Sequence, residues 1–492
     1  MPWPRSSTRV VLALVGLALF SAGLAVLLRM GHSLSVDEPF TANAARLPWS
    51  QLRAIFRTDN IPFMYVLLRM WTAMFGESEI ALRALPILAY ALAVLMTGLA
   101  ASGRGPLAAI AASALVVSSV RIGVTHAATV RPYALLAAVS AAVTLLSLAS
   151  LDRSESRRSA WWRGAALAAL HLLGLFTHPT YVFVLAACGL AGALAGRSIR
   201  TASAVAAGAA LVLYGLLWGH VVRATLASEA TSWMQPPRLA DAKTAYLSLW
   251  GTGPGFMLAG ALVVLGLSNR SRLRELSRDP QVQWIAAATF IGWVAPIALS
   301  LWRPVFLPVR TPVMLLPLTA VLVAFVLSAL ASRAAVLTLV GCFLIAASGQ
   351  VIAAARAGDP APSRASLQAI LSEATCSDTI VAVGLANEPV DYYLRRLAAP
   401  ACLAVEQFPA SMLNWTRQLT DEAAMRRIED EATALVARLS SRSGTIWVVA
   451  AEKGMGHEAS AVFAAAARAR LACGDPQPVR GSFFDHVTRC TR

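Results

Sequence analysis

Apolar blocks of about 20 residues recur along most of this sequence, and each block ends at charged residues or at Pro and Gly. A helix of about 20 apolar residues is long enough to cross the hydrocarbon core of a bilayer. Hydrophobic residues make up 57% of the chain and charged residues only 14%, against roughly a quarter charged in an ordinary soluble protein. This pattern excludes a soluble globular protein and predicts a polytopic α-helical membrane protein.

The apolar blocks predict eleven transmembrane helices, with ends placed to within a few residues. The first block is an alternative candidate for the apolar region of a signal peptide, but it is long and no small-residue cleavage site precedes Asp37, so we interpret it as a retained span. The predicted spans are 10–30, 79–101, 106–123, 132–150, 162–178, 180–196, 202–222, 246–268, 282–301, 310–331 and 334–355.

The net charge of +16 is concentrated in the membrane part of the chain. Residues 1–357 hold 28 of the 42 basic and 11 of the 26 acidic residues, which leaves 14 basic and 15 acidic residues in 358–492. No basic tail or aromatic-basic strip points to nucleic acid, so the excess indicates topology and contact with membrane lipids. Basic clusters close to alternate span ends predict a cytoplasmic N-terminus, and an odd number of spans then puts the tail outside the cytoplasm.

The tail predicts a small soluble α/β domain over 358–492, after a membrane domain over 1–357. Apolar runs at Thr379–Val383, Cys402–Val405 and Thr445–Ala450 alternate with helical patterns near Val390–Leu397 and Asp421–Leu439. The tail also carries four of the six cysteines, an even number that suits disulfides in an oxidising compartment, although free thiols are the alternative and three pairings stay open. These four are Cys376, Cys402, Cys473 and Cys490.

The first loop, residues 31–78, holds the most informative polar residues. Asp37 and Glu38 follow the first span directly, and two adjacent carboxylates so close to a membrane need a partner or a function, unless they are simply solvated. The loop ends in a short apolar helix, Phe63–Phe75, which is too short to span and is expected to lie along the membrane surface.

Three motifs in this order resemble the GT-C glycosyltransferases. They are the acidic pair with the Asp59–Trp71 and Phe75–Pro86 stretches, then Arg131-Pro132-Tyr133, then Pro308-Val309-Arg310 before a late span. The chain looks most like the branch of protein O-mannosyltransferases, the lipid A aminoarabinose transferase and RgtA/B/C/D-like enzymes, which is similar to glycosyltransferase family 39. The resemblance covers residues 10 to 355 and, weakly, the tail.

The resemblance implies a hexosyl or pentosyl transfer from a polyprenyl-phosphate sugar to a lipid, glycan or protein acceptor. It places the reaction at the outer face of the bacterial inner (plasma) membrane, with inversion. An acceptor hydroxyl needs a base, for which Asp37 is the candidate. Glu38 either orients the acceptor or sugar hydroxyls or holds Asp37 ionised through a shared Arg. The leaving lipid phosphate needs fixed cations, which Arg supplies with a two-pronged donor, although each Arg is alternatively a lipid-headgroup contact. The candidates for binding the substrate or its phosphate are Arg83, Arg131, Arg310, Asp59, Tyr133, His178, Arg69 and Arg303. For His178 a structural hydrogen bond is the alternative.

The sequence departs from the family pattern at two points. The element that often reads His-Pro-Pro is Asn60-Ile61-Pro62 here, and Thr129 stands where the family often has Glu two positions before the Arg. We therefore predict no cofactor, and a divalent metal between two acids has no support. Two rival functions remain: a transporter or flippase of a lipid-linked substrate, disfavoured because the chain shows no repeated halves, and a catalytically degenerate GT-C scaffold, favoured by Thr129.

Overall fold

A computed structural model describes residues 8–29, 31–35, 37–56, 62–151, 157–194, 197–227, 234–359, 363–410, 422–442, 444–450, 456–474 and 486–491. Most of these residues are helical, as the apolar pattern predicts. In chain order the helices are α1 (Thr8–Arg29), α2 (Asp37–Arg46), α3 (Trp49–Ile55), α4 (Pro62–Phe75), α5 (Glu79–Ala101), α6 (Pro106–Val117), α7 (Thr125–Ala127), α8 (Tyr133–Ala149), α9 (Arg157–Thr177), α10 (Val182–Leu194), α11 (Arg197–Ala227), α12 (Leu239–Trp250), α13 (Thr252–Ser268), α14 (Arg270–Leu276), α15 (Pro280–Ser300), α16 (Leu316–Leu330), α17 (Arg333–Arg356), α18 (Ser363–Glu373), α19 (Asn387–Arg396), α20 (Glu422–Ser440) and α21 (Gly456–Arg468).

The described residues form two compact units. The helical unit contains the described parts of Met1–Leu28, Trp49–Ala227 and Met234–Arg356. The C-terminal unit contains Arg29–Pro48 together with Ala357–Arg492, again in their described parts. The first loop is therefore divided: the segment that carries Asp37 and Glu38 packs with the C-terminal unit.

The helical unit has the dimensions of a membrane domain. Within the described residues six helices are long and apolar enough to cross a bilayer, or eight if each of two bent helix pairs is one span. Each of the eleven predicted segments overlaps a helix, but α8 and α10 are shorter than a full span and the 246–268 segment bends by 96° between α12 and α13. Large apolar side chains on the spans are exposed, Leu19 and Leu216 among them, as lipid contact requires. The chain is an integral membrane protein.

The C-terminal unit is built on a five-stranded sheet in the order β2-β1-β3-β5-β4. The central strands β1 and β3 are buried at every residue, which agrees with their unbroken apolar sequences. Strand β1 pairs with β2 and β3 in parallel, whereas β5 is antiparallel to both β3 and β4. The strands are β1 (Thr379–Val383), β2 (Ala404–Phe408), β3 (Ile446–Ala450), β4 (Ala472–Cys473) and β5 (His486–Thr491).

Both predicted features of the tail are present in this unit. The α/β architecture is confirmed, with α20 and α21 packed over the sheet around Val381, Val383 and Val448. The four cysteines form two disulfides, Cys376–Cys402 and Cys473–Cys490, so one of the three open pairings is selected. The second disulfide joins residues that are direct partners across β4 and β5.

Candidate active site

Two of the predicted phosphate-binding arginines converge on one histidine in the helical unit. Both Arg131 and Arg310 lie close enough to His178 for their positive charges to act on its imidazole. The three side chains come from three separate turns, because Arg131 stands just before α8, Arg310 precedes a 3-10 helix at Thr311–Leu315, and His178 follows α9. Long-range packing therefore brings together three residues that the sequence singles out separately.

Aromatic rings connect this cluster. The Tyr133 ring centroid lies 4.5 Å from that of His126 and 5.8 Å from that of His178. Tyr133 is the first residue of α8, and its side chain is buried. Both Arg131 and Tyr133 of the Arg131-Pro132-Tyr133 motif therefore lie in this cluster.

The tautomer of His178 follows from its contacts. Its Nδ1 atom accepts a hydrogen bond from the Thr180 backbone N–H at 3.3 Å and lies 2.8 Å from the Thr180 hydroxyl. A backbone N–H only donates, so Nδ1 carries no hydrogen and Nε2 carries the proton of the neutral ring. The neutral imidazole presents an Nε2–H donor beside two guanidinium groups.

Buried hydroxyl groups hold the loop that carries Arg303 and Arg310. The Ser300 Oγ atom, at the end of α15, accepts hydrogen bonds from the backbone N–H groups of Val305 at 2.9 Å and Phe306 at 2.7 Å. The Thr311 hydroxyl accepts from the Leu307 N–H at 2.9 Å. These bonds satisfy three backbone N–H groups of a loop that belongs to no helix or strand, and so they stabilise the conformation of the loop.

A π-helix at Val120–Val124 precedes the Arg131 segment. It packs tightly on α5, because a Cβ atom added at Gly123 would lie 1.7 Å from the Tyr90 hydroxyl oxygen. Tyr90 in turn donates a hydrogen bond to the Val116 carbonyl oxygen at 2.6 Å. Only glycine fits at position 123, and π-helical turns are often found next to functional sites.

The other predicted arginines occupy distinct places in the helical unit. Arg83 lies in the first turns of α5 and is only 4% exposed. The guanidinium group of Arg69 lies 4.9 Å from the centre of the Trp49 ring, a cation–π contact. Arg303 follows α15, and its backbone N–H donates to the Leu299 carbonyl oxygen at 2.8 Å.

Arg83 and Arg303 each lie at the end of a long helix that is opposite to the Arg104–Asp279 ion pair. At the opposite ends of their helices, Arg104 after α5 forms an ion pair with Asp279, which caps α15. Helices of 23 and 21 residues are each more than about 30 Å long. The two arginines therefore lie far from the Arg104–Asp279 pair, as expected if basic residues cluster at both membrane surfaces.

The predicted catalytic carboxylates lie in the C-terminal unit, at the start of α2. Asp37 is exposed, whereas Glu38 is fully buried. The Glu38 carboxylate accepts hydrogen bonds from the Ser35 backbone N–H at 2.8 Å and from the Ser35 hydroxyl at 3.0 Å, and the Glu38 N–H donates to the Ser35 carbonyl oxygen. These bonds join Glu38 to the residue two positions before α2 and so restrain the start of the helix.

Two further predictions concern Asp59 and metal binding. Asp59 lies outside the described residues. Across the ranges that the structure describes, no three His, Cys, Asp or Glu side chains are grouped as ligands for a metal ion.

Sequence reasoning did not identify Ser300, Thr180 and Gly123 as supports of the site. His178-Pro179 does carry a local signal, since Pro is favoured in the first turn of a helix that starts after a capping residue. Ser300 and Gly123 carry no such signal. The partners of Ser300 are amides of an irregular loop, and Gly123 contacts Tyr90 only through the packing of two helices.

The fold is shared with a protein of known structure. The crystal structure of ArnT from Cupriavidus metallidurans bound to undecaprenyl phosphate matches with a TM-score of 0.62 and 13% identity, over 99% of this chain and 98% of that chain. The apo structure of the same protein matches with a TM-score of 0.62 and 15% identity, over 98% of both chains. No family model matches the sequence, and comparison with curated proteins finds no match. The GT-C fold predicted from the three motifs is confirmed.

Proposed function

We propose that this protein is a membrane glycosyltransferase that takes a sugar from a polyprenyl-phosphate donor. The observation that supports this most is that the segments carrying Arg131 and Arg310 are joined by the contact between His126 and the Val309 carbonyl oxygen, beside the rings of Tyr133 and His178. Two guanidinium groups and one N–H donor suit an anion with several oxygen atoms, such as a lipid phosphate. ArnT, whose fold the chain shares, has been crystallised with undecaprenyl phosphate.

In the proposed reaction an acceptor hydroxyl attacks the anomeric carbon of the donor sugar. Asp37 takes the hydroxyl proton, and its exposed side chain is open to an acceptor. The bond between the anomeric carbon and the phosphate oxygen breaks with inversion, and the electron pair leaves with the polyprenyl phosphate. Arg131, Arg310 and His178 stabilise the charge that develops on that phosphate, with Arg83 as a further cation. Glu38 acts as a positioning residue through its bond to Ser35.

The proposed orientation puts the N-terminus in the cytoplasm and the C-terminal unit outside it. The two disulfides support this, because disulfides persist in oxidising compartments outside the cytoplasm. Lipid, glycan and protein acceptors all remain within the proposal. The bacterial inner (plasma) membrane is the proposed location.

The proposal is tested with the purified protein in nanodiscs and a panel of polyprenyl-phosphate sugars. Release of free polyprenyl phosphate is followed by mass spectrometry. Asp37→Asn is expected to reduce turnover by at least about 100-fold, the contribution of a general base, without changing affinity for the lipid phosphate. Arg131→Gln and Arg310→Gln are each expected to weaken that affinity about tenfold, because each removes a charge-assisted hydrogen bond.

Arg121→Gln is the matched control, since Arg121 is exposed in the π-helix a few residues before the site. It removes one positive charge from the same segment and is expected to behave like the wild type. Full turnover by Asp37→Asn would remove the base assignment. When the same protein is placed in sealed proteoliposomes, movement of the lipid-linked sugar across the bilayer without its consumption would favour the flippase instead.

A further inference from the structure

The segment that carries Asp37 is held at its start by the C-terminal unit. The Leu34 backbone N–H donates to the Tyr393 hydroxyl oxygen at 2.6 Å, and the Ser33 N–H donates to the Asp359 carboxylate at 2.6 Å. The Arg364 backbone N–H donates to the Ser33 hydroxyl oxygen at 3.2 Å. Ser33, Leu34 and Tyr393 are almost completely buried. The bond from Leu34 to Tyr393 is therefore buried, whereas the two bonds at Ser33 are part-buried.

Asn43 makes the second connection, from the middle of α2. Its Nδ2 atom donates to the carbonyl oxygen of Glu388 at 3.1 Å and to the carboxylate of Glu388 at 2.7 Å. Its Oδ1 atom accepts from Arg395 Nη2 at 2.6 Å. An arginine only donates and a carboxylate accepts, so these partners determine the orientation of the amide. Both partners lie on α19.

Asp37 and Asn43 lie on different faces of α2. Asn43 is six positions after Asp37, which is about 240° around a helix of 3.6 residues per turn. The Thr41, Ala42, Ala44 and Ala45 side chains are buried, whereas Asp37 is exposed. Asp37 therefore stays exposed while the contact with α19 restrains the helix that carries it.

Helix α19 is itself anchored to the centre of the sheet. It follows β1 directly, through a short 3-10 turn at Gly384–Ala386. Burial raises the pKa of Glu388 above its usual range, and the hydrogen bond from Asn43 opposes this rise. A carboxylate in such a place depends on its donors, so loss of the Asn43 amide would disturb both helices.

We propose that the C-terminal unit positions the proposed base, with Asn43 as the positioning residue that clamps α2 to Glu388 and Arg395 of α19. This inference rests on the proposed role of Asp37. It gives the soluble unit a function distinct from acceptor binding: the sheet and α19 form a rigid support from which the carboxylate is presented. Pre-organisation of this kind raises kcat and leaves donor affinity unchanged.

The clamp is tested by reversing its hydrogen bonds in the full-length protein in nanodiscs. Asn43→Asp places a carboxylate against Glu388, and we expect kcat to fall at least tenfold while KM for the polyprenyl-phosphate sugar stays unchanged. Hydrogen exchange at the α2 amides is expected to accelerate at least tenfold in the same variant. Adding Glu388→Gln restores a donor opposite the new carboxylate and is expected to recover much of both losses.

A second pair of variants makes smaller changes, so that loss of the clamp can be told apart from misfolding. Arg395→Ala removes one bond to Asn43 together with the ion pair to Asp391 on α19. Arg396→Ala removes the exposed neighbouring charge on α19. We expect the first to accelerate exchange in α2 and lower kcat, and the second to match the wild type.

Each other outcome overturns the clamp. Unchanged exchange in Asn43→Asp shows that the contact does not restrain α2, and faster exchange with unchanged kcat shows that the restraint does not serve the reaction. A higher KM for the acceptor at unchanged kcat assigns the unit to acceptor binding instead. Full activity of Asp37→Asn removes the base assignment while the exchange result still reports on the contact, so the two failures are distinguishable.

Discussion

The Nε2 atom of His126 lies 3.1 Å from the carbonyl oxygen of Val309, a residue 183 positions away in the chain. A carbonyl oxygen only accepts, so His126 donates its Nε2–H. Val309 directly precedes Arg310, and His126 precedes Arg131 by five residues. This hydrogen bond therefore joins the two segments whose guanidinium groups form the proposed phosphate site.

Loss of the His126 hydrogen bond is expected to weaken lipid phosphate binding. His126→Leu removes a bond worth about 1 kcal/mol, so we expect affinity for undecaprenyl phosphate to fall about fivefold. His126→Gln keeps a side-chain N–H of similar reach and is expected to recover part of the affinity. Titration calorimetry in nanodiscs measures both variants, and equal affinity of His126→Leu and the wild type would contradict the prediction.

Ser300→Ala is expected to loosen the loop that carries Arg310. The substitution leaves the backbone N–H groups of Val305 and Phe306 without their acceptor, at a cost of about 1–3 kcal/mol. Faster hydrogen exchange at these two amides and a lower melting temperature are the readouts. Ser328→Ala is the control, because that hydroxyl only donates to a carbonyl within its own helix. Equal effects of the two substitutions would show that the Ser300 bonds do not stabilise the loop.

Two glycines on α9 are expected to respond in opposite directions to alanine. At Gly174 an added Cβ would lie 2.4 Å from ring carbons of Tyr181, whereas nothing lies within 4 Å at Gly164. Gly174→Ala should destabilise the protein by about 1–3 kcal/mol through overpacking beside His178. Gly164→Ala should be neutral or stabilise by up to about 1 kcal/mol, since alanine favours helix. Thermal unfolding in detergent checks both, and a harmless Gly174→Ala would refute the close packing.

Acid is expected to destabilise the C-terminal unit through Asp378. Burial acts to raise the pKa of this carboxyl, but hydrogen bonds from the backbone N–H groups of Thr375 and Thr445 outweigh it, so the pKa is lowered overall. A carboxyl whose pKa is lowered in the folded state stabilises above its ordinary pKa of about 4, and that contribution is lost as the pH falls through the folded value. Asp378→Asn should cost about 2 kcal/mol at pH 7 and flatten the acid dependence.

Hydrogen exchange in β1 and β3, measured between pH 7 and pH 3 with correction for intrinsic rates, reports this stability. Asp430→Asn is the control, because Asp430 is exposed on α20. An unchanged acid dependence in Asp378→Asn would assign the effect to other carboxyl groups.

The elements that depend on local pattern agree with their predictions. Strand β1 spans Thr379–Val383, as expected, because an apolar run of this length is buried on both faces of a parallel sheet. The 246–268 segment differs, since Gly251 has a φ of +84° and ends α12 where hydropathy predicts one continuous span. Strand β5 was not predicted, because its sequence is polar and carries no apolar run. It pairs with β3, which lies far away in the sequence, and local periodicity gives no information on such a pairing.

In the candidate site, too, some features were predicted from the sequence and others were not. Motifs identified Arg131, Tyr133, His178 and Arg310 one at a time, because guanidinium and imidazole groups next to apolar helices need a reason to be there. The motifs contained no signal that Asn43 contacts Glu388, since the two residues are 345 positions apart.

The sequence by itself determined that this chain is a bundle of membrane helices with a small α/β unit. In a bilayer every backbone polar group must be satisfied within its own segment, so the length and hydropathy of each block are sufficient to predict a helix. Only the tertiary structure decided that Arg131 and Arg310 meet at His178, and that α2 belongs with the C-terminal unit. Those contacts depend on how distant segments pack, and packing reflects the shapes of all the side chains together rather than the pattern of any one segment.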